Sequence, residues 1–243
     1  MYKSLKKIAK VLVPKKLLQK NELFFRKLIS LKYKGNKHQC NICGFQLKHF
    51  VELEDKDLLC PRCGSRSRTR RLYKMLTKTN ALNGTILHFS PPLSLSKKIK
   101  TLKTVNYYSS DFENEFIANY NFDITSIACE TDFFDLIICY HVLEHIEKDT
   151  KAMSELYRVL KPNGICFIQT PFKDGDIYED YNITTEEGRL AAFGQEDHVR
   201  IYSENGLTKR LETAGFEIDR SRFESDLYLG LKNETVIVAK KIN

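Results

Sequence analysis

From Gly84 onward the chain alternates short apolar runs with stretches of helical spacing. That alternation predicts βαβ units and a mostly parallel sheet. The runs at 85–89, 105–108, 124–127, 134–139, 165–169, 216–220 and 235–240 read as seven strands. A helix is expected from about 149 to 160. It has Ala152, Met153, Leu156, Val159 and Leu160 on one face, and Lys161-Pro162-Asn163-Gly164 stops it. Another opens on Ser203 as N-cap and closes on Gly215, with Leu207, Leu211 and Ala214 facing inward. Upstream, 67–79 has helical spacing through Leu72, Met75 and Leu76. Residues 1–37 read as one or two helices divided by Pro14. Their apolar positions, Ile8, Val11, Leu12, Leu18, Phe24, Phe25, Leu28 and Ile29, lie opposite Lys-rich faces. That stripe either packs on the rest of the protein or lies in a membrane surface.

Length and charge turn this pattern into a domain plan. In 243 residues there is room for one good-sized core and a small module. The expected division is a basic helical arm at 1–37, a cysteine module with an Arg-rich helix at 38–79, and an α/β domain at 80–243. These segments carry net charges of +11, +5 and −8, which make up the overall +8. A basic head on an acidic body suggests contact with phosphate backbone or anionic lipid, or else a solubilising face. No stretch approaches the roughly 20 apolar residues of a membrane-spanning helix. Pro14, Lys15 and Lys16 interrupt Val11-Leu12-Val13, so no secretory signal is read there. Seven cysteines, three of them (Cys129, Cys139 and Cys166) in apolar runs, fit reduced thiols in a cytoplasm, with peripheral membrane contact left open.

The other four cysteines form two C-x2-C pairs, Cys40/Cys43 and Cys60/Cys63, sixteen residues apart. That spacing is within the zinc-ribbon range. A tight turn aims both thiolates of a pair at one ion, and the second pair completes a tetrahedron at roughly 2.3 Å per sulfur. Gly44 and Gly64 follow the pairs, where a left-handed backbone lets amides point at sulfur. A site of four cysteines, with no histidine or carboxylate, reads as structural zinc. Two disulfides and a rubredoxin-like iron are the alternatives.

Residues 134–171 read FDLIICYHVLEHIEKDTKAMSELYRVLKPNGICFIQTP. An apolar strand ends in a polar loop, a helix follows, and a turn leads to another strand. Ligands of open parallel sheets sit beyond the strands' carboxyl ends, so Tyr140, His141 and Thr170 are placed to touch one. This segment resembles class I S-adenosylmethionine-dependent methyltransferases, in the subgroup with HVLEH after the fourth strand and RVLKPxG before the fifth. The likeness spans about residues 38–220, through CPRCGSRSR, LHFSP, YYSSD, FGQEDHVRIY and LETAGF. It implies a Rossmann-like seven-stranded sheet of order 3-2-1-4-5-7-6, with the seventh strand antiparallel. It also implies that His88, Phe89, Ser90 and Pro91 pass under the methionine part of S-adenosylmethionine. Asp111 would bind the ribose hydroxyls, Asp123 and Ile124 would flank the adenine, and Tyr140 and His141 would line the methionine side. The first loop departs from the family pattern: Ser90-Pro91-Pro92 has no glycine, and Pro92 stands where the subgroup commonly has glutamate.

Methyl transfer from a sulfonium depends mostly on positioning, and a base is needed only for a hydroxyl or a protonated amine. His141 and His198 are the candidate bases. Residues 173–200 are long and polar, with Tyr178, Glu179, Asp180 and Tyr181, and read as an acceptor-facing lid in which Arg200 clamps an acidic group. Three functions are expected to compete. The first is methyl transfer to a small molecule or saccharide. The second is RNA methylation, with Arg66 to Lys74 gripping phosphate. The third is a non-catalytic binding module.

Overall fold

The structure, a computed structural model, describes residues 15–113 and 115–242, with side chains from residue 22. The chain divides into two compact units. One is Met1–Asn80 with Phe223–Glu234, and the other is Ala81–Arg222 with Thr235–Asn243. The expected unbroken domain over 80–243 is therefore interrupted near its end. Within the described residues no helix is long and apolar enough to cross a membrane.

The first unit opens with helix α1 (Lys15–Ser30). Pro14 and the apolar positions before it lie outside the described residues, as does the side chain of Leu18. Phe24, Phe25 and Leu28 are exposed on α1, and Leu31 is exposed just beyond it, so this stripe is not covered by the chain's own described residues. Two short antiparallel ladders follow. One joins β1 (Lys34–Gln39) to β2 (Gln46–Leu47), and the other joins β3 (Val51–Glu52) to β4 (Leu58–Leu59). Helix α2 (Ser67–Lys78) comes next. The core here is small: Ile42, Phe45, Leu47 and Phe50 around Cys40 and Cys60.

Arg70 of α2 explains why residues 223–234 belong to this unit. Its guanidinium is fully buried. It donates to Ser65 O at 2.5 Å, Leu58 O at 3.0 Å, Leu229 O at 2.8 Å and Gly230 O at 2.6 Å, with Phe50 under it at 4.2 Å. Arg71 donates to Glu224 O and Lys232 O, and Lys74 pairs with Asp226 at 2.9 Å. Buried guanidinium groups need such acceptors, and the returning segment supplies carbonyls from its turns.

The second unit is built on one sheet. Its strands are β5 (Gly84–Phe89), β6 (Val105–Ser110), β7 (Phe134–Tyr140), β8 (Leu160–Gln169), β11 (Glu217–Phe223) and β12 (Glu234–Lys240), in the order β11-β12-β8-β7-β5-β6. β6, β5, β7 and β8 are mutually parallel, and β12 runs antiparallel to β8. β7 reads FDLIICY and is buried almost end to end, as a strand covered on both faces must be. Helices α3 (Leu93–Ile99), α4 (Asp149–Val159), α5 (Glu186–Phe193) and α6 (Glu204–Thr213) complete the unit with the short pair β9 (Tyr178–Glu179) and β10 (Arg200–Ile201). Ala152, Met153, Leu156 and Val159 of α4 are buried as expected, and Ser203 caps α6 by accepting from Gly206 N. At Asn163 (φ +62°) and Gly164 the chain bulges rather than leaving the sheet, because Leu160 already pairs with Phe134 before Ile165 pairs with Leu136.

The sheet has six strands among the described residues, where the sequence pattern predicts seven. Residues 124–127 are a turn. Asp123 Oδ1 accepts from Thr125 N at 2.7 Å and from its hydroxyl at 2.8 Å. Ile127 N donates to Glu155 Oε2, and Arg158 donates to Ile127 O and Cys129 O. Side chains of α4 thus take the backbone groups a strand neighbour would have taken. The outer edge of β6 is met instead at Tyr120, which bridges Ser110 in parallel.

Two tests follow from the sheet. Gly84 (φ +71°) opens β5, and a Cβ there would stand 2.5 Å from Asp135 Oδ2. Gly84→Ala should cost about 2–3 kcal/mol in urea unfolding, from backbone conformation and clash together. His88 is fully buried in β5 with Nδ1 2.9 Å from Tyr107 Oη, and burial pushes its pKa down to about 3. The unfolded chain therefore binds this proton where the folded one does not. Stability should fall as pH drops from about 6.5 to about 3, by roughly 4 kcal/mol for this group. The readout is the wild-type slope minus that of His88→Gln.

Candidate active site and metal centre

In the sheet β5 leads to β6 on one side while β7 begins on the other, so the strand order reverses between β5 and β7. Open α/β sheets bind ligands in the crevice at such a point. Both strands end there on a non-glycine residue in the left-handed region, Ser90 at φ +45° and His141 at φ +55°. Each such backbone costs about 1–3 kcal/mol, and they cluster at functional sites. Ser90 thus makes the turn for which the first loop lacks a glycine.

The expected cofactor residues fall as follows. Phe89 and Pro91 are buried on either side of Ser90. His88 lies one residue deeper, inside the sheet. Ser90 Oγ donates to Asp111 Oδ1 at 3.1 Å, and Asp111 Oδ2 accepts from Phe116 N at 2.9 Å. This nearly buried carboxylate sits just past β6, and each oxygen keeps a second lone pair. Asp123 is half-buried, and the bonds from Thr125 hold its carboxyl below the usual range. Ile124 beside it joins the main core. Tyr140 is buried at the end of β7, and Thr170 is buried just past β8.

Beyond β7 the structure brings together residues that sequence spacing alone left apart. His141 Nδ1 lies 3.1 Å from Glu144 Oε1, and His145 Nδ1 lies 3.1 Å from Asp197 Oδ2. The His145 and His198 rings meet edge to face at 4.7 Å. One ligand atom each from Glu144, His145 and His198 lies within 4.8 Å of the others. Burial raises the Glu144 carboxyl, but the hydrogen bond and charge of His141 outweigh it, so its pKa is lowered. Burial and the neighbouring His145 push His198 down. Glu144 was not among the expected site residues; its spacing to His141 and His145 within HVLEH was the available signal.

Arg200 departs from its expected role. Instead of reaching for an acidic acceptor group, it is fully buried. Its Nε donates to Glu179 Oε2 at 2.9 Å, Nη1 to Leu143 O and Ile146 O, and Nη2 to Glu147 O at 2.9 Å. Arg210 bridges Glu179 and Asp149 alongside it, both at 2.5 Å, and Tyr202 Oη donates to Asp149. Val199 N also donates to Glu144 O at 2.9 Å. The 173–200 segment is therefore pinned to the loop after β7 through Arg200 and Val199, with Glu179 held by Arg200 and Arg210, while Tyr178 and Tyr181 stay exposed.

The four cysteines of the first unit converge. Cys40 and Cys63 sulfurs are 3.7 Å apart, and Cys43 and Cys60 are 3.8 Å apart. A tetrahedral ion with bonds near 2.3 Å keeps its sulfurs about 3.8 Å apart, so the set fits one ion. Both knuckles have the same bonding. Gly44 N donates to Cys40 O and Gly64 N to Cys60 O, while Cys40 N and Cys60 N donate to Phe45 O and Ser65 O. Gly44 and Gly64 take φ +69° and +76°. Hydrogen bonds from Cys43, Cys60 and Cys63 hold the Cys40 thiol far below its ordinary value, and the bond with Cys40 pushes the other three up.

A family model described as a methyltransferase domain matches residues 67–221, well over half of the chain. A Mycolicibacterium smegmatis protein named as a probable S-adenosylmethionine-dependent methyltransferase is 33% identical over 85 residues, which is 35% of this chain and 29% of that protein. The chain spans only 29 to 34% of the length of the curated relatives it matches. Among solved structures, one from Galdieria sulphuraria, provisionally described as a sarcosine dimethylglycine methyltransferase, aligns with TM-score 0.55 at 16% identity over 80% of this chain and 93% of that one. The Burkholderia thailandensis 1,6-didemethyltoxoflavin-N1-methyltransferase, solved with 1,6-didemethyltoxoflavin and S-adenosylhomocysteine, aligns with TM-score 0.50 at 14% identity over 72% and 78%. At these identities the structures speak to fold alone. With its sheet order, its switch-point crevice and the family match in agreement, the chain belongs to the methyltransferase-domain family and has the class I S-adenosylmethionine-dependent fold behind an N-terminal cysteine cluster.

Proposed function

We propose that this protein transfers a methyl group from S-adenosylmethionine to a small-molecule or saccharide acceptor, and that Cys40, Cys43, Cys60 and Cys63 hold a structural zinc ion. The observation carrying the first part is the pair of left-handed strand ends at the switch point, Ser90 and His141, with the Asp111 carboxylate at the end of the next strand. When bound, the cofactor supplies an electrophilic methyl on a sulfonium. Asp111 has lone pairs left for a ribose diol, and Phe89, Ser90, Pro91, Tyr140 and His141 shape the methionine side, with His88 buried behind them inside the sheet. Asp123 and Ile124 form the adenine end. His141 and, when it is not ligating an ion, His198 are the groups able to take a proton from a hydroxyl or ammonium acceptor.

The RNA reading loses support within the first unit. Arg66 pairs with Asp55 and Asp57, Arg70 and Arg71 are buried on carbonyls, and Lys74 pairs with Asp226. The cluster expected to grip phosphate is spent on internal partners. For the ribbon, the closeness of the four sulfurs supports zinc, since a core this small needs metal to fold.

Two measurements test the proposal. Calorimetry with S-adenosylhomocysteine should give one site per chain, weakened about 10- to 100-fold in Asp111→Ala, the worth of a bond to a charged acceptor. No binding to the wild type would leave only a non-catalytic module. Metal analysis should find about one zinc per chain in a colourless protein, lost together with the fold of the ribbon in Cys60→Ser. Red protein would reject zinc.

A further inference from the structure

We infer that Glu144, His145 and His198 form a second metal site, one that takes a divalent first-row transition ion at the mouth of the β7 crevice. Two imidazoles and one carboxylate are a common donor set for such ions, and here their ligand atoms lie within 4.8 Å of one another. Bonds of about 2.0 to 2.2 Å to nitrogen and oxygen close that span with small side-chain rotations.

Glu144 supplies an independent observation. Its side chain is 99% buried, and while Oε1 meets His141, Oε2 is buried with no hydrogen-bond partner. A buried carboxylate oxygen left unsatisfied is costly, and a cation is the partner that would repay it. Asp197 Oδ2 lies 3.1 Å from His145 Nδ1, within reach to orient that ring as outer-shell carboxylates do in known sites. The two stretches carrying the donors are locked together by Val199 N on Glu144 O and by Arg200 on Leu143 O and Ile146 O. The donor geometry therefore does not depend on a mobile loop. Glu144 and His198 close the inner side, whereas the His145 and Asp197 side chains remain 28% and 62% exposed. That open side leaves coordination positions for water or for an oxygen of the acceptor.

The probe is Mn2+, a hard ion that does not displace zinc from four thiolates. Zinc-loaded full-length protein is titrated with Mn2+, and the free ion is followed by its electron paramagnetic resonance signal. The expected result is about one Mn2+ per chain. Affinity should fall at least tenfold in both Glu144→Gln and His145→Gln, and about tenfold or more in Asp197→Asn, an exposed position whose loss leaves the core alone. Thermal melting of each variant separates lost binding from lost fold. Absence of stoichiometric Mn2+ binding by the wild type would overturn the site, as would unchanged affinity in a folded Glu144→Gln or Asp197→Asn protein. The readout is the ion itself, so failure here leaves the calorimetric test of methyl-donor binding untouched.

Discussion

The fully buried guanidinium of Arg200 is the group on which the candidate site depends. Its donors reach three carbonyls of the loop after β7 and the Glu179 carboxylate, so four points of the chain meet at one planar cation. Arg suits this because its fork presents five donors in fixed directions and stays charged when buried. Removing it would take the guanidinium from those buried carbonyls and leave Glu179 to Arg210 alone, a loss of about 3–5 kcal/mol for a buried pair. It would also loosen His198, two residues away, from the loop carrying Glu144 and His145, with Val199 N on Glu144 O as the remaining tie. The position of the 173–200 segment and the histidine cluster thus rest on the same interaction.

The first unit is organised by the same physical device. Arg70 gathers carbonyls from the second cysteine knuckle and from the returning 223–234 segment, and its charge sits beside the sulfurs. Four thiolates holding a divalent ion would carry a net charge of about −2, and this buried cation would offset part of it. The Arg-rich helix that looks from its sequence like a phosphate grip is therefore an internal staple.

Much of the fold was legible in the sequence because it is written in local periodicity. The buried strand β7, the α4 stripe, the Ser203 cap and the cysteine spacing all follow from neighbours in the chain. What could not be read depends on long-range bookkeeping of hydrogen bonds. Residues 124–127 have strand-like composition, yet Glu155 and Arg158, some thirty residues on, take their backbone groups. Arg200 looks like a surface clamp until its acceptors at Leu143, Ile146 and Glu147 are seen. The site splits along the same line. Ser90 and Asp111 are expected from the family resemblance and His141 from the end of a strand, both of them local features of the chain. The meeting of Glu144 and His145 with His198 joins segments more than fifty residues apart, and no local pattern predicts it.

The crevice itself has a simple mechanical origin in the strand order. Ser90, leaving β5, donates its amide to Ser110 O at 2.8 Å, at the end of β6, and its hydroxyl to Asp111 just beyond. His141, leaving β7, donates its amide to Gln169 O at 2.8 Å, at the end of β8. Each loop is thus tied to the neighbour on its outer side, away from the other. The left-handed backbone at both residues is the cost of turning outward so sharply, and the bonds to β6 and β8 are what offset it. Two adjacent strands whose exits diverge leave a gap between them, bordered on one side by Asp111 and on the other by His141 and Glu144. A glycine in place of Ser90 would ease the turn but give up the hydroxyl that orients Asp111. The unusual Ser90-Pro91-Pro92 loop is therefore consistent with a working crevice, because the serine makes the turn and also holds the carboxylate on which a ribose would rest.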